Sequence, residues 1–167
     1  MKIRKGNIKD IDAIMSMYNS CVNGMINIGI DQWDETYPNR NIILEDLKQK
    51  TYFVAIKDSL IVGGVNIDAL QDDSYLSINW KDKKNAFLSV HRLAVDKKYW
   101  DQNIGKNLML FAEELVKKKN LNSIRLDTYS GNPKAMNFYK QLGYHQLGYI
   151  YLKEGKNEYY CFEKIIQ

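Results

Sequence analysis

Three groups of residues in this chain have types and spacing suited to chemistry. The first is Asn132-Pro133-Lys134-Ala135, followed by Tyr139 and a Leu142-Gly143-Tyr144 stop. It places an Asn at a helix start, a small Ala three residues on, and a Tyr two turns along the same face. A phenol with a pKa of about 10 holds its proton at neutral pH and can donate it, although a core tyrosine fits the pattern too. The second is His91, whose ordinary pKa of about 6.5 suits a proton acceptor. A buried, hydrogen-bonded structural histidine is equally compatible with its place in a strand. The third runs from His91-Arg92-Leu93-Ala94-Val95 through Tyr99-Trp100-Asp101 into Gln102-Asn103-Ile104-Gly105-Lys106-Asn107. A strand, a tight loop and a helix N-terminus make an anion cradle, because several N–H groups lack internal partners and the helix dipole favours negative charge. Gly105 allows close approach to a diphosphate, and Lys106 adds positive charge.

These groups need a scaffold, and 167 residues suffice for one domain spanning 1–167. A chain of this size buries roughly 70% of its unfolded surface, so no disulfide or metal staple is required. The net charge of +4 suits an anionic cofactor, but no arginine-rich stripe points to nucleic acid. Lys117, Lys118 and Lys119 fall where a helix should end and read as dipole compensation. Cys21 and Cys161 match no metal-ligand spacing and read as reduced core thiols. The polar opening Met1-Lys2-Ile3-Arg4-Lys5 and the lack of a long apolar run lead us to expect a cytoplasmic protein without a membrane partner, as a monomer or homodimer.

The order of elements follows from periodicity. A strand near 2–6 precedes a helix capped by Asp10, with Ile11, Ile14, Met15, Tyr18 and Val22 as its buried stripe. From Asn23 to Tyr37 that period is lost, with Gly24 and Gly29 breaking it, and a short helix follows Pro38. Thr51–Ile56 and Leu60–Val65 read as strands of a hairpin turning at Lys57-Asp58-Ser59. Tyr75–Ile78 suggests a short strand, and Ala86–Val95 an interior one. A long helix over about 104–119 turns Leu108, Phe111, Ala112 and Leu115 inward. A strand at 123–129, a helix at 132–141 and strands at 144–152 and 159–165 complete the chain. The passage 86–129 requires a right-handed crossover between parallel neighbours, so an α/β mixed sheet with flanking helices is expected.

Over roughly residues 86–145 these blocks resemble the Gcn5-related N-acetyltransferases, the GNAT family. Gln102–Asn107 is similar to its pyrophosphate loop, with Trp100 at the basic or amide position and Asn103 at the first glycine. Asn tolerates the left-handed conformation that a glycine there supplies. The resemblance implies the GNAT acyl-CoA N-acyltransferase fold, a mostly antiparallel sheet with one splayed parallel pair. It also implies acetyl-CoA as acetyl donor, without a metal. Leu93, Ala94 and Val95 would hydrogen-bond the pantetheine arm like an added strand and offer an N–H to the developing oxyanion. Gln102, Asn103, Ile104, Gly105, Lys106 and Asn107 would cradle the diphosphate, and Asn132, Ala135 and Tyr139 would serve the donor, with Tyr139 protonating the thiolate.

Acetyl transfer to an amine also needs a base, because an alkylammonium of pKa about 10.4 must first lose a proton. Arylalkylamine acetyltransferases are similar in placing a histidine before such a Leu-Ala-Val edge, with Ser89 standing here at their second histidine position. His91, Asp127 or a water relay remain the alternatives, with Asp127 more readily paired to Arg125 or Arg92. The acceptor wall is expected in the loop bearing Trp33 and Tyr37, whose ring faces can hold a cation near Asp34 and Glu35; Trp80 and Tyr129 are further walls. The expected activity is N-acetylation of a primary amine on a small molecule or peptide, by direct attack in a ternary complex. A non-catalytic acyl-CoA-binding module on the same fold is the alternative.

Overall fold

The computed structural model describes residues 1–167. In chain order it contains β1 (Lys2–Lys5), α1 (Ile11–Asn27), α2 (Arg40–Lys48), β2 (Tyr52–Lys57), β3 (Leu60–Asp68), β4 (Phe87–Val95), α3 (Ile104–Lys118), β5 (Ser123–Tyr129), α4 (Pro133–Gln141), β6 (His145–Ile150) and β7 (Tyr159–Ile165). The strands form one mixed sheet in the order β1-β2-β3-β4-β5-β7-β6. β4 and β5 are its parallel pair, as the crossover argument requires, and their ladder is short, running from Phe87↔Ser123 to Ser89↔Arg125. No helix is long and apolar enough to cross a membrane. The chain packs as two compact units, Met1–Ile67 with His91–Phe111, and Asp68–Val90 with Ala112–Gln167.

In the first unit, β1 and β2 pair antiparallel, as do β2 and β3. The β2–β3 turn uses Asp58 and Ser59 at φ 49° and 63°, values that match the right-handed twist of a tight hairpin. Its core joins α1, α2 and β2 through Ile14, Tyr18, Cys21, Ile43, Leu47 and Val54, with Ala94 of β4 among them. Helix α1 runs past Gly24 to Asn27, beyond where glycine was expected to break it. The reason is tertiary: a Cβ at Gly24 would lie 2.8 Å from the Trp100 ring, so the glycine makes room for an indole. Gly29, at φ 80°, does follow the helix end. Asn39 caps α2 by accepting from the Ile42 N–H at 3.1 Å.

In the second unit, β5 and β7 pair along seven residues, and β6 pairs with β7 across a register shift between Gln146 and Gly148. Tyr75–Ile78 is not a strand; Asp73–Ser77 forms a 3-10 turn. The Asp72 carboxylate accepts from both the Ser74 N–H (2.9 Å) and its hydroxyl (2.6 Å), which tightens the backbone away from extension. The polar stretch before β4 is anchored by charge. The fully buried Arg125 guanidinium lies between the Trp80 and Phe87 rings, 4.6 and 4.1 Å from their centroids. Arg125 bonds Asn85 (2.9 Å) and Gln71 (3.1 Å), and Glu163 accepts from the Lys81 N–H (2.6 Å) and from Arg125 (3.4 Å).

The buried face of α3 is Ile104, Leu108, Met109, Ala112 and Val116. Phe111 and Leu115, expected inward, are half-buried, and Phe111 leans on Phe53 at 5.0 Å between centroids.

Candidate active site

Strand β4 carries a non-glycine residue at positive φ in its middle, Arg92 at 54°. A left-handed residue interrupts the alternation of a strand, so period two does not carry from His91 across it to Leu93. Three elements hold the kink. Tyr18 of α1 donates to the Arg92 carbonyl at 2.6 Å and accepts from the Tyr52 hydroxyl of β2 at 3.0 Å. Asp46 of α2 takes Arg92 Nε and Nη2 at 3.0 and 2.8 Å, and Arg92 Nη1 donates to the Tyr37 hydroxyl at 3.4 Å. The C=O and N–H of a trans peptide point in opposite directions, so the Leu93 N–H is directed away from Tyr18. Ala94 and Asp96 turn to β3, where the Asp96 N–H meets the Val62 carbonyl at 2.9 Å. The Val95 carbonyl accepts from the Trp100 indole at 2.9 Å.

Beyond β4, Asp101 and Asn103 both lie in the left-handed region, at φ 61° and 60°. Asn103 thus adopts the conformation that a glycine would supply, and its carbonyl receives the Asn107 N–H at 2.9 Å. The N–H groups of Ile104, Gly105 and Lys106, in the first turn of α3, have no intrahelical acceptor by position. This geometry fits a diphosphate. Gln102 is tied back to Lys57 at 2.7 Å, while Lys106 is exposed. Trp100 contributes no polar group to this turn, because its N–H is committed to Val95 and its ring to Gly24.

The loop between α1 and α2 places Trp33 edge-on to both Tyr18 (5.9 Å) and Tyr37 (6.4 Å). Trp33 and Tyr37 are half-buried, whereas Asp34 and Glu35 are exposed. Residues 34–36 and the α1 residues Asn19, Val22, Asn23 and Ile26 line a groove of about 410 Å³.

In the second unit, Asn132 caps α4 by accepting the Ala135 N–H at 2.9 Å, with Pro133 in the first turn. Tyr139 follows on that helix, buried among Phe138, Tyr144 and Phe162 at 5.1, 6.0 and 6.0 Å. Burial, and then the charge of Asp127, push the Tyr139 hydroxyl well above the usual phenol range, so it keeps its proton at neutral pH. Asp127 does not make the expected pair with Arg125 or Arg92. Those guanidinium groups are turned to Glu163 and Asp46, and Asp127 accepts a short hydrogen bond from the Tyr75 hydroxyl. Trp80 and Tyr129 are buried within this unit: Trp80 donates to the Tyr75 carbonyl at 3.0 Å, and Tyr129 packs on Tyr159 at 5.3 Å. Ser89 Oγ is buried without a hydrogen-bond partner. Burial raises the Cys161 thiol to about 12, as expected of a core cysteine.

Residues 12–144 match the model of the acetyltransferase (GNAT) family. This chain belongs to the GNAT family. The GNAT chain is 22% identical over 160 residues to YesJ of Bacillus subtilis, described as an uncharacterized N-acetyltransferase, covering 95% of this chain and 86% of that protein. Among solved structures, a GNAT-family acetyltransferase of Streptococcus agalactiae superposes with a TM-score of 0.84 at 25% identity, covering 98% and 94% of the two chains. The PaiA N-acetyltransferase of Thermoplasma acidophilum, solved with coenzyme A, gives 0.74 at 20% identity and covers 98% of both chains. Against this GNAT background, the sequence reading missed the bonding of Tyr18 and Asp46 to Arg92 and the kink it holds. A left-handed arginine leaves no mark in sequence, because bonds from three distant segments impose it.

Proposed function

We propose that this GNAT protein transfers an acetyl group from acetyl-CoA to the primary amine of a small molecule or peptide, by direct attack in a ternary complex. The observation that carries the proposal is Tyr139, a buried, protonated phenol on the helix that Asn132 caps. Bound acetyl-CoA supplies an activated thioester. In the first unit, the Leu93 N–H is the main-chain donor for the carbonyl oxygen, and the turn formed by Gln102, Asn103, Ile104, Gly105, Lys106 and Asn107 receives the diphosphate. In the second unit, Asn132 and Ala135 shape the helix start, and Tyr139 returns a proton to the departing sulfur. His91 is our candidate to take the ammonium proton, directly or through water, with Asp127 the alternative. Trp33 and Tyr37 are the acceptor's aromatic wall. We place the protein in the cytoplasm, as a monomer or homodimer acting without nucleic acid or membrane.

The test is thiol release from acetyl-CoA against a panel of amines, with calorimetric titration of acetyl-CoA alongside. Tyr139→Phe should lower turnover about 10²-fold or more while leaving acetyl-CoA affinity within a factor of a few. Equal losses in both would remove the acid role. Tight binding by the wild type with no thiol release against any amine would assign a non-catalytic acyl-CoA-binding module instead.

A further inference from the structure

We propose that Arg92 is a positioning residue that latches the Trp33–Tyr37 loop to β4, so that closing this loop and aligning the Leu93 N–H are one event. The proposal rests on the transferase reading for its functional consequence, but the latch itself is visible in bonds within the first unit. Tyr18 reaches the loop only by ring packing on Trp33, whereas Arg92 reaches both parts of the proposed chemistry through polar bonds. Its main chain is the kink that turns the Leu93 N–H, and its side chain ends on the loop that bears the aromatic wall.

An arginine is the side chain suited to this task. Its planar fork donates in fixed directions, so Nε and Nη2 seat on the two oxygens of Asp46 while Nη1 remains aimed at Tyr37. A lysine could satisfy the carboxylate but not both partners in this geometry. The burial of the pair supports a structural duty, since the Arg92 and Asp46 side chains keep 15% and 10% of their exposure. The kink adds a second argument. A left-handed non-glycine residue persists only where its surroundings over-determine it. Here the over-determining bonds are the Tyr18–Arg92 carbonyl bond on one side and the guanidinium contacts on the other. Pulling Tyr37 away therefore loosens one of the restraints on the strand, and an acceptor that packs on Trp33 and Tyr37 tightens it.

Hydrogen exchange of the unliganded protein tests the latch without reference to activity. Tyr37→Phe removes the hydroxyl that receives Nη1, and Arg92→Met removes both arms while keeping an unbranched chain. In each, amides of residues 33–39 should exchange faster by roughly threefold or more, the loss of one long hydrogen bond, with β1, β2 and α3 unchanged. Arg92→Lys should keep Asp46 engaged, so it should restore melting temperature relative to Arg92→Met without restoring loop protection. With an amine that the wild type acetylates, Tyr37→Phe should raise acceptor KM several-fold and leave acetyl-CoA affinity unchanged. Unaltered exchange in residues 33–39 of both variants, or an equal rise throughout the first unit, overturns the latch. A wild type that releases no thiol removes the transferase reading, and the exchange data then decide the latch separately. Should Arg92→Met fail to fold, Tyr37→Phe decides alone.

Discussion

The Tyr52–Tyr18–Arg92 chain of hydrogen bonds makes a prediction in which one substitution changes sign with its background. Tyr52 and Tyr18 are 0% and 1% exposed, so neither hydroxyl can turn to water. Tyr52→Phe removes a donor and leaves Tyr18 bonded to the Arg92 carbonyl, which costs about 1 kcal/mol, the net worth of one neutral hydrogen bond. Tyr18→Phe is worse. It loses the bond to Arg92 and also leaves the Tyr52 hydroxyl without an acceptor, adding roughly 1–3 kcal/mol of unrecovered desolvation. The sum is about 2–4 kcal/mol. The Tyr52 hydroxyl sits in the space that a Cβ at Gly64 would fill. In the Tyr18→Phe background, Tyr52→Phe then removes the orphaned group and should stabilise the protein by about 1 kcal/mol. Urea denaturation of wild type, both single variants and the double variant measures the cycle. If Tyr52→Phe carried the same cost in both backgrounds, within about 0.5 kcal/mol, the relay would not exist as described.

Alkaline stability follows from the same burial. Desolvation raises the Tyr18, Tyr52, Tyr75, Tyr139 and Tyr144 hydroxyls above their ordinary value of 10.0. The native state therefore holds protons that the unfolded chain releases, and stability is complete below pH 10 and declines above it, by up to about 1.4 kcal/mol per pH unit for each tyrosine. A series of urea midpoints from pH 8 to 11 checks this, and a flat series contradicts it. Gly24→Ala should lower stability by about 1–3 kcal/mol despite alanine's better helix propensity, because the rigid Trp100 ring blocks the new methyl group. Asn132→Ala should cost about 1 kcal/mol of stability through loss of the α4 cap, with weaker acetyl-CoA binding by calorimetry. His91→Ala should abolish the acidic limb of the pH–rate profile, and a retained limb would point to Asp127 or water.

Where local pattern and tertiary demand agreed, the sequence was a sufficient guide. The strands of the hairpin at 52–68 and the Asn132 cap are written in alternation and in one polar side chain. Asn103 was legible as a left-handed residue because it stands where the GNAT loop has glycine, and its φ of 60° bears this out. The failures have a common cause. Gly24 reads as a helix breaker until Trp100 is seen lying on it. Helix α3 offers apolar residues on two adjoining faces, so choosing Phe111 and Leu115 over Met109 and Val116 needed knowledge of what packs there. Tyr75 has the composition of a strand, yet the Asp72 turn and its bond to Asp127 hold it in a helical turn. Arg92 was missed most completely, since its conformation is enforced by α1, α2 and the intervening loop and by nothing adjacent in sequence.

Trp100 has one more consequence. With its indole committed to scaffolding, the start of α3 speaks to an anion mainly in amide hydrogens, with Lys106 as an exposed cation in its first turn. Amide hydrogens survive every substitution except proline. A library varying this turn should therefore be tolerant of changed side chains and sharply intolerant of altered backbone torsion, with lesions concentrated at Asn103 and Gly105.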